Sequence, residues 1–420
     1  MKYTAPRGTR DITWPEIRYW QYIELIAAEI FKKYNYTEIR TPIIEQTELF
    51  TKGIGQQTDI VSKEMYNFQD KGGRNITLRP EGTASVVRAC IQDNLISPHE
   101  ITKLYYLGPM FRYERPQAGR YRQFHQIGAE AIGSPNPLID AEMIIIGIRL
   151  FERLGISGIT VHVNSLGCQV CRPVIQEQLK SFIEINLPNL CEDCQERFYR
   201  NPMRIIDCKN PKCQKFFSGL PSSSKVLCQE CKDHFNFVLE YLEAAKVDFI
   251  VDPNLVRGLD YYTKTVFEIR SDALGAQNAL CGGGRYDNLI KELGGNNVPA
   301  IGFAFGVERT VLAMMEKNIK LPEMNQPNVF VIALGHFAQI RGFIILQFLR
   351  DHGLTGEIEV EQRSISAQMK KANKLNVRKT IIIGDDEIAN GYVTIKNMKT
   401  GEQQKIELQN EAILAEIITE

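Results

Sequence analysis

YYLGPMFRYERPQAGRYRQFHQIGAE, residues Tyr105–Glu130, reads as two strands joined by a long, arginine-rich loop. Leu104–Leu107 and Phe111–Tyr113 are aromatic and apolar, which predicts strand. Pro116, Gly119 and the charges between them mark a loop. Arg122–Glu130 then returns as strand. Alternation places Arg122, Phe124, Gln126, Gly128 and Glu130 on one face. Gln126 and Glu130 should then look the same way, about 13 Å apart at ~3.3 Å per residue. Gly128 lies between them and is expected to leave a bare floor for a small polar ligand held at both ends. Arg112, Arg115, Arg120 and Arg122 are expected to surround that space. Guanidinium suits phosphate there because it binds it bidentately. On its own, the stretch also fits an ordinary half-buried hairpin with a solvated basic loop.

At 420 residues the chain is too long for one core, so two or three domains are expected. Hydrophobic residues make up 44% and charged residues 24%, ordinary for a globular protein. No segment nears the ~20 apolar residues of a membrane span. The N-terminal MKYTAPRGTRDI has no apolar signal-peptide core, so a cytoplasmic protein with no membrane partner is expected. Net charge is zero, so any nucleic-acid contact must use local patches.

Working outward, Thr13 and Glu16 with Pro15 predict a capping box and a helix over Glu16–Lys33. In YTEIRTPIIEQTELF (36–50), Pro42 favours an edge or an interface over a sheet centre. Met65–Phe68 and Ile76–Arg79 read as a hairpin about the Asp70–Gly73 turn. In LRPEGTASVVRA (78–89), Pro80 and Gly82 force a bend, and Thr83 is placed to cap a helix Ala84–Ile91. Glu81 on that bend would ordinarily serve the helix dipole. Ile139–Gly155 reads as a core helix and Thr160–Asn164 as a strand.

Composition then changes. Eight of the ten cysteines fall between Cys168 and Cys231 as four pairs, Cys168/Cys171, Cys191/Cys194, Cys208/Cys213 and Cys228/Cys231. The segment 166–247 is therefore read as an inserted cysteine-rich domain. The spacing suits tetrahedral Zn²⁺ on thiolates, and four pairs could make two sites. Unligated cysteines are the alternative. Cys90 and Cys281 have no neighbouring partner and are expected in the core.

Past the insert, DFIVDP is a strand, and a second strand is predicted from Tyr261 onward. LCGGGRYDNLI (280–290) places three glycines where backbone must approach something closely. In AIGFAFGVERTVLAMM (300–315), Ile301, Phe303 and Phe305 form a bulky core face. Gly302, Ala304 and Gly306 form a flat face on which a planar ring could lie. Arg309 opens the next helix, where its charge is unfavourable unless an anion sits nearby. Leu321–Pro327 reads as a linker. From Asn328 an α/β domain follows: strand VFVIALG, a helix about Ala338–His352, a strand near 357–361, a helix at 366–376, and strands TIIIG, YVTIKN and QKIEL. Six basic and no acidic residues lie between Gln362 and Gly384, the best local nucleic-acid patch in the chain, or else a solvated helix face.

FRYERPQAGRYRQFHQ resembles the second signature motif of the class II aminoacyl-tRNA synthetases, and specifically of the histidyl-tRNA synthetase family, bacterial type. PEGT (80–83), RGLDYY (257–262), GGGRYD (282–287) and GVER (306–309) follow the family's order. The HIGH and KMSKS motifs of class I synthetases are absent. The resemblance covers essentially the whole chain, loosely in the insert. It implies an α+β fold: an antiparallel-sheet catalytic domain over 1–165 and 248–321, the insert, and a C-terminal α/β anticodon-binding domain over 328–420. It implies ATP-dependent ligation of L-histidine to the 3′ end of histidine tRNA through a histidyl-adenylate. Glu81, Gly82, Thr83, Gln126, Glu130, Tyr261 and Tyr262 would hold histidine. Arg112 and Arg257 would be catalytic; Arg112, Glu114, Arg120 and Arg309 would bind ATP, with Mg²⁺ bridging its phosphates. The first-motif region near 36–50 would make a homodimer, and the insert would contact tRNA.

Two alternatives carry different functions. One is the synthetase-like regulatory subunit of histidine biosynthesis, which lacks an anticodon domain; residues 328–420 weigh against it. The other is an RNA-sensing domain that has lost ATP-site arginines; Arg112, Arg257 and Arg309 weigh against it.

Overall fold

The computed structural model describes residues 3–56, 58–208, 210–217, 226–322, 327–361 and 363–408. The chain divides into two compact units, Met1–Lys320 and Leu321–Glu420. Part of the predicted linker (323–326), part of the insert (218–225), residue 362 of the basic patch and the chain beyond 408 lie outside the described residues.

The first unit opens with a helix at Ile17–Lys33, whose apolar spacing buries Trp20, Ile23, Ala27 and Ile30. The expected capping box does not form. Glu16 is itself helical and makes no cap bond. Its carboxylate instead accepts from Arg10 Nη1 at 2.6 Å and Trp20 Nε1 at 3.1 Å, where a charge-assisted pair is the stronger choice. The strands follow as β1 (Thr37–Glu38), β2 (Ile44–Gln46), β3 (Tyr66–Gln69), β4 (Asn75–Leu78), β5 (Thr102–Phe111) and β6 (Gln123–Ile132). After the helix Pro137–Arg153 come β7 (Ile159–Ser165), the insert, β8 (Phe249–Val251), β9 (Thr263–Ser271), β10 (Ala279–Arg285) and β11 (Ala300–Gly306).

Eight of these strands form one sheet in the order β1-β5-β6-β11-β10-β9-β7-β8. Only its edges, β1 on β5 and β8 on β7, pair in parallel. β2, β4 and β3 make a separate antiparallel sheet, so Pro42 stands between two sheets, where its missing N–H breaks no ladder. Leu104–Phe111 is one unbroken strand instead of two, and Tyr113 lies beyond its end. Tyr113 N donates to Glu64 O at 2.7 Å, which takes it out of the β5–β6 ladder. Tyr261 and Tyr262 precede β9 instead of opening it.

The helix Pro137–Arg153 starts on Asn136, whose side chain accepts from Leu138 N. It covers one face of the sheet, burying Ile144, Leu150 and Phe151. Phe151 meets Phe305 of β11 edge-on at 5.5 Å, confirming that the bulky face of β11 is core. The same helix receives the last helix of the insert, Gln229–Ala244, where His234 Nε2 lies 3.0 Å from Asp140 Oδ1. Cys90 and Cys281 are buried as expected.

The second unit holds β12 (Val329–Ala333), β13 (Gly356–Ile358), β14 (Lys379–Ile383), β15 (Tyr392–Asn397) and β16 (Gln403–Glu407) in the order β13-β12-β14-β15-β16. β12 is parallel to both neighbours, and its run Val329–Ala333 is wholly buried, as a strand covered on both faces must be. Helices His336–Asp351 and Ile365–Lys374 connect them within a few residues of the predicted positions.

The triple glycine of β10 has a packing cause. A Cβ on Gly283 would collide with Gly302 O of the neighbouring strand, with the Phe303 side chain at 2.6 Å and with Phe267 at 2.8 Å. A backbone oxygen cannot rotate aside. Gly283→Ala is expected to destabilise the chain by about 1–3 kcal/mol, read as a lower urea midpoint at unchanged m-value.

Candidate active site

β11 turns its small residues, Gly302, Ala304 and Gly306, toward a cleft of about 410 Å³ in the first unit. Two kinds of wall rise from this floor, one polar and aromatic, the other built of arginines.

The polar wall starts at the PEGT bend. Glu81 is buried, and its carboxylate accepts from Thr83 N at 2.7 Å and Ala84 N at 2.8 Å. Glu81, not Thr83, therefore caps the helix, which runs Thr83–Gln92. The helix begins at Thr83 itself, so its first amides need an acceptor from an earlier residue. Burial pushes the Glu81 carboxyl up, while those amides and Arg112 pull it down. The freed Thr83 hydroxyl donates to Glu130 Oε1 at 2.7 Å, and Tyr286 OH donates to Glu130 Oε2 at 2.6 Å. Tyr261 and Tyr262 stand beside them, their rings 4.7 Å apart.

Sequence and structure differ at Gly128. The space above it is filled by the phenol of Tyr106, its direct partner across the β5–β6 ladder. The same ring excludes a side chain at Gly82. Gln126 and Glu130 therefore do not face each other across an open floor. Gln126 reaches the cleft with its Oε1 buried and unpartnered, whereas Glu130 is fully buried behind the wall. Gly302 must be glycine because Glu130 lies against it.

The second wall holds Arg112, Arg120, Arg257 and Arg309. Arg112 is fixed by its Nε donating to Pro80 O at 2.9 Å, and it lies 5.2 Å over the Phe124 ring. Arg120 Nη1 sits 3.3 Å from Glu114. Arg309 Nη1 donates to Ala279 O at 2.7 Å; burial and then Arg120 pull its pKa down. Two neighbouring cations that repel one another are stabilised by an anion between them. Arg257 lies across Gly282, where any side chain would collide with it, and pairs with Glu268. Burial opposes its charge, and Glu268 and its neighbours outweigh that, leaving the pKa raised. Arg115 and Arg122 do not line the cleft. Arg122 lies 3.7 Å over the Tyr113 ring, and its amide donates to Gly8 O.

Ten of the expected residues thus line one cleft: Glu81, Thr83, Gln126, Tyr261 and Tyr262 with Arg112, Glu114, Arg120, Arg257 and Arg309. Gly82 and Glu130 support it from behind. Phe124 lines it from the face that alternation gave it; Tyr106, Glu268 and Tyr286 also line it and were not anticipated. Tyr286 lies inside GGGRYD, and Tyr106 could have been inferred only from the cross-strand partner of a glycine.

The eight insert cysteines sort into two sets, Cys168/Cys171/Cys228/Cys231 and Cys191/Cys194/Cys208/Cys213. The pairing is nested, first pair with fourth and second with third. Within each set all sulfurs lie within 4.8 Å of one another. Cys168–Cys171 and Cys191–Cys208 are 3.7 Å and 3.9 Å apart. A tetrahedron of ~2.3 Å metal–sulfur bonds has edges of about 3.8 Å, so both sets fit a thiolate-bound metal. Backbone amides of Cys228 and Cys191 donate to Cys171 Sγ at 3.1 Å and Cys213 Sγ at 3.2 Å.

The family described as Histidyl-tRNA synthetase matches residues 8–178 and 218–310, and the Anticodon binding domain matches 328–415. A Histidine--tRNA ligase of Halothermothrix orenii is 52% identical over 410 residues, 98% of each chain. The chain belongs to the histidyl-tRNA synthetase family. A second ligase of that name, from Desulforamulus reducens, is 48% identical over 97% of this chain and 98% of its own. The crystal structure of apo S. aureus histidyl-tRNA synthetase covers 100% of both chains at 39% identity and a TM-score of 0.84. The second unit matches the anticodon-binding family over residues 328–415. Among the described residues, no helix is long and apolar enough to cross a membrane.

The Glu130 environment has a pH consequence. Burial, opposed by the Tyr286 and Thr83 hydroxyls, raises its pKa from 4.5 to about 8. The folded state then binds this proton more tightly than the unfolded state. The contribution is complete below pH 4.5 and is lost as pH rises through about 8. Urea titrations across that window should show the stability of the parent chain falling relative to Glu130→Gln. A difference that does not change with pH would contradict this.

Proposed function

We propose that this chain carries out ATP-dependent ligation of L-histidine to the 3′ end of histidine tRNA, by the following division of labour in the cleft. The carrying observation is one floor with two chemically opposite walls: polar and aromatic groups sized for an amino acid, and four guanidiniums suited to a triphosphate. In the first step a histidine carboxylate oxygen attacks the α-phosphorus of ATP. The bond to the β-phosphate oxygen breaks, and pyrophosphate leaves. Negative charge gathers on the α-phosphate oxygens, where Arg112 and Arg257 stabilise it because both are already held in place. Arg120 and Arg309 hold the outer phosphates, beside Glu114, and Mg²⁺ enters with ATP as part of the substrate. In the second step a hydroxyl of the terminal ribose attacks the adenylate carbonyl, and AMP leaves.

Glu81 and Gln126 take the histidine ammonium, and Gly82 keeps the bend close to it. Tyr261 and Tyr262 close over the imidazole. Thr83 and Tyr286, oriented by Glu130, complete the polar end. Hydrogen bonds at both ends of the ligand reject apolar amino acids without a second hydrolytic site. On this reading the insert over 166–247 contacts tRNA and does no editing, and the basic run from Arg363 to Lys379 serves the anticodon end. The region 36–50 is proposed as the homodimer interface, supported by the exposed Ile43 and Ile44 beside β2. The catalytic domain is taken as 1–165 with 248–321, and the anticodon domain as 328–420. The reaction is placed in the cytoplasm, where thiols stay reduced. Each cysteine set would hold one Zn²⁺, which supplies a fixed tetrahedral cross-link.

ATP–pyrophosphate exchange with each of the twenty amino acids tests the central claim. Exchange with histidine alone is expected. Arg257→Ala should lower the exchange rate about 10²–10³-fold while leaving histidine binding nearly intact; equal losses in both would remove its role on the α-phosphate.

Metal analysis of the purified chain should find two zinc ions, and Cys194→Ser should lose one. A chain with no zinc and eight titratable insert thiols would remove the metal from this reading.

A further inference from the structure

Residues 191–213 lie between the two stretches that match the family, 8–178 and 218–310. They carry the inner cysteine set, and they also reach the active-site cleft. Arg204 and Asp207 both line it. Arg197, on the helix Glu192–Arg200, donates from Nη2 to Asp59 Oδ2 at 2.8 Å. Arg204, on the short turn Pro202–Ile205, donates from Nη2 to the same oxygen at 3.0 Å. Asp59 itself lines the cleft, on the loop before the Ile60–Glu64 turn.

Between the two arginines, Asn201 Nδ2 donates to Asp260 Oδ1 at 2.8 Å. Asp260 is the aspartate of RGLDYY and directly precedes Tyr261. Its amide donates to Ile54 O at 3.1 Å, and its carbonyl accepts from Arg172 Nη1 at 2.9 Å. One short segment, which carries the inner cysteine set, therefore bonds to both loops that line the cleft. The loops hold each other through Ile54 and Asp260, so displacing one displaces the other. Asp207 also favours the charged form of Arg257, so the segment is felt electrostatically at the α-phosphate site.

We propose that Arg204, Arg197 and Asn201 are positioning residues for histidine activation, acting through Asp59 and Asp260. This rests on the synthetase reading above. It makes the inner cysteine knot a part of the adenylation machinery, in addition to any tRNA contact. A shift of about 1 Å in a catalytic group costs up to ~10²-fold in rate, so the effect should be visible without tRNA.

The test is ATP–pyrophosphate exchange in the full-length chain with no tRNA present. Arg204→Ala is expected to lower kcat about tenfold to a hundredfold with zinc content and melting temperature unchanged. Arg204→Lys, which keeps a cation on Asp59, should restore most of the loss. Asn201→Ala, which releases the loop bearing Tyr261, should raise the KM for histidine and leave that for ATP in place. Asp59→Asn combined with Arg204→Ala should be no worse than Asp59→Asn alone, because loss of the carboxylate already weakens the ion pairs to both Arg197 and Arg204. Asp59 lies outside the insert, so it reads the same contact if Arg204→Ala does not fold. Exchange within twofold of the parent in Arg204→Ala and Asp59→Asn, with tRNA charging alone impaired, would overturn the proposal. A parent chain that exchanges with no amino acid would instead overturn the synthetase reading beneath it.

Discussion

A ligand can lie on the middle of a sheet only where side chains do not rise from it. Gly282 of β10 and Gly302 and Gly306 of β11 clear that surface, and two of these clearances are used at once by a neighbour: Arg257 across Gly282, Glu130 against Gly302. The opposite face of β11 must then supply the packing that its cleft face gives up, which is why Phe303 and Phe305 are buried there. Core and cleft are two sides of one strand, and a change on either side is felt on the other.

Charge follows the same economy of position. Few of the cleft's ionised groups are left to choose their own orientation. Arg112 is tied to Pro80 O, Arg309 to Ala279 O, Arg257 to Glu268, and Glu81 to two helix amides. These bonds remove the reorganisation that water would need as charge shifts, and that is the larger part of electrostatic catalysis. The cost is burial of charge, visible in the lowered pKa of Arg309 and the raised pKa of Glu130.

Much of this could be read from local pattern. Alternation in residues 300–306 separates core from floor because strand periodicity is two, whatever the partner. The motifs pointed to ten residues that share one cleft. What failed depended on register or on long-range pairing. Tyr106 occupies the space above Gly128 because the hairpin aligns them, and no single-strand pattern reveals alignment. Glu81 displaced Thr83 as the cap because the helix starts one residue earlier, a shift of about a quarter of a turn. The nested grouping of the cysteines needs the insert's fold, since spacing alone permits other groupings. The bond from Arg204 to Asp59 joins segments far apart in the chain, and neither residue has a local signature.

The strand order carries a consequence for how the molecule is made. β6 is hydrogen-bonded on one side to β5, its neighbour in sequence, but on the other to β11, the last strand of the unit to be synthesised. Until β11 arrives, the edge of β6 is open, and its residues Ile127–Ile132 are ones the finished fold buries completely. An unpaired apolar edge is a template for wrong partners. The insert, by contrast, has all its cysteines before β9 begins, so both sets can come together on local chain while the sheet is still incomplete. Long-range pairing is slow because loop closure precedes its reward. The floor of the cleft is therefore complete only when the last strand of the unit has paired.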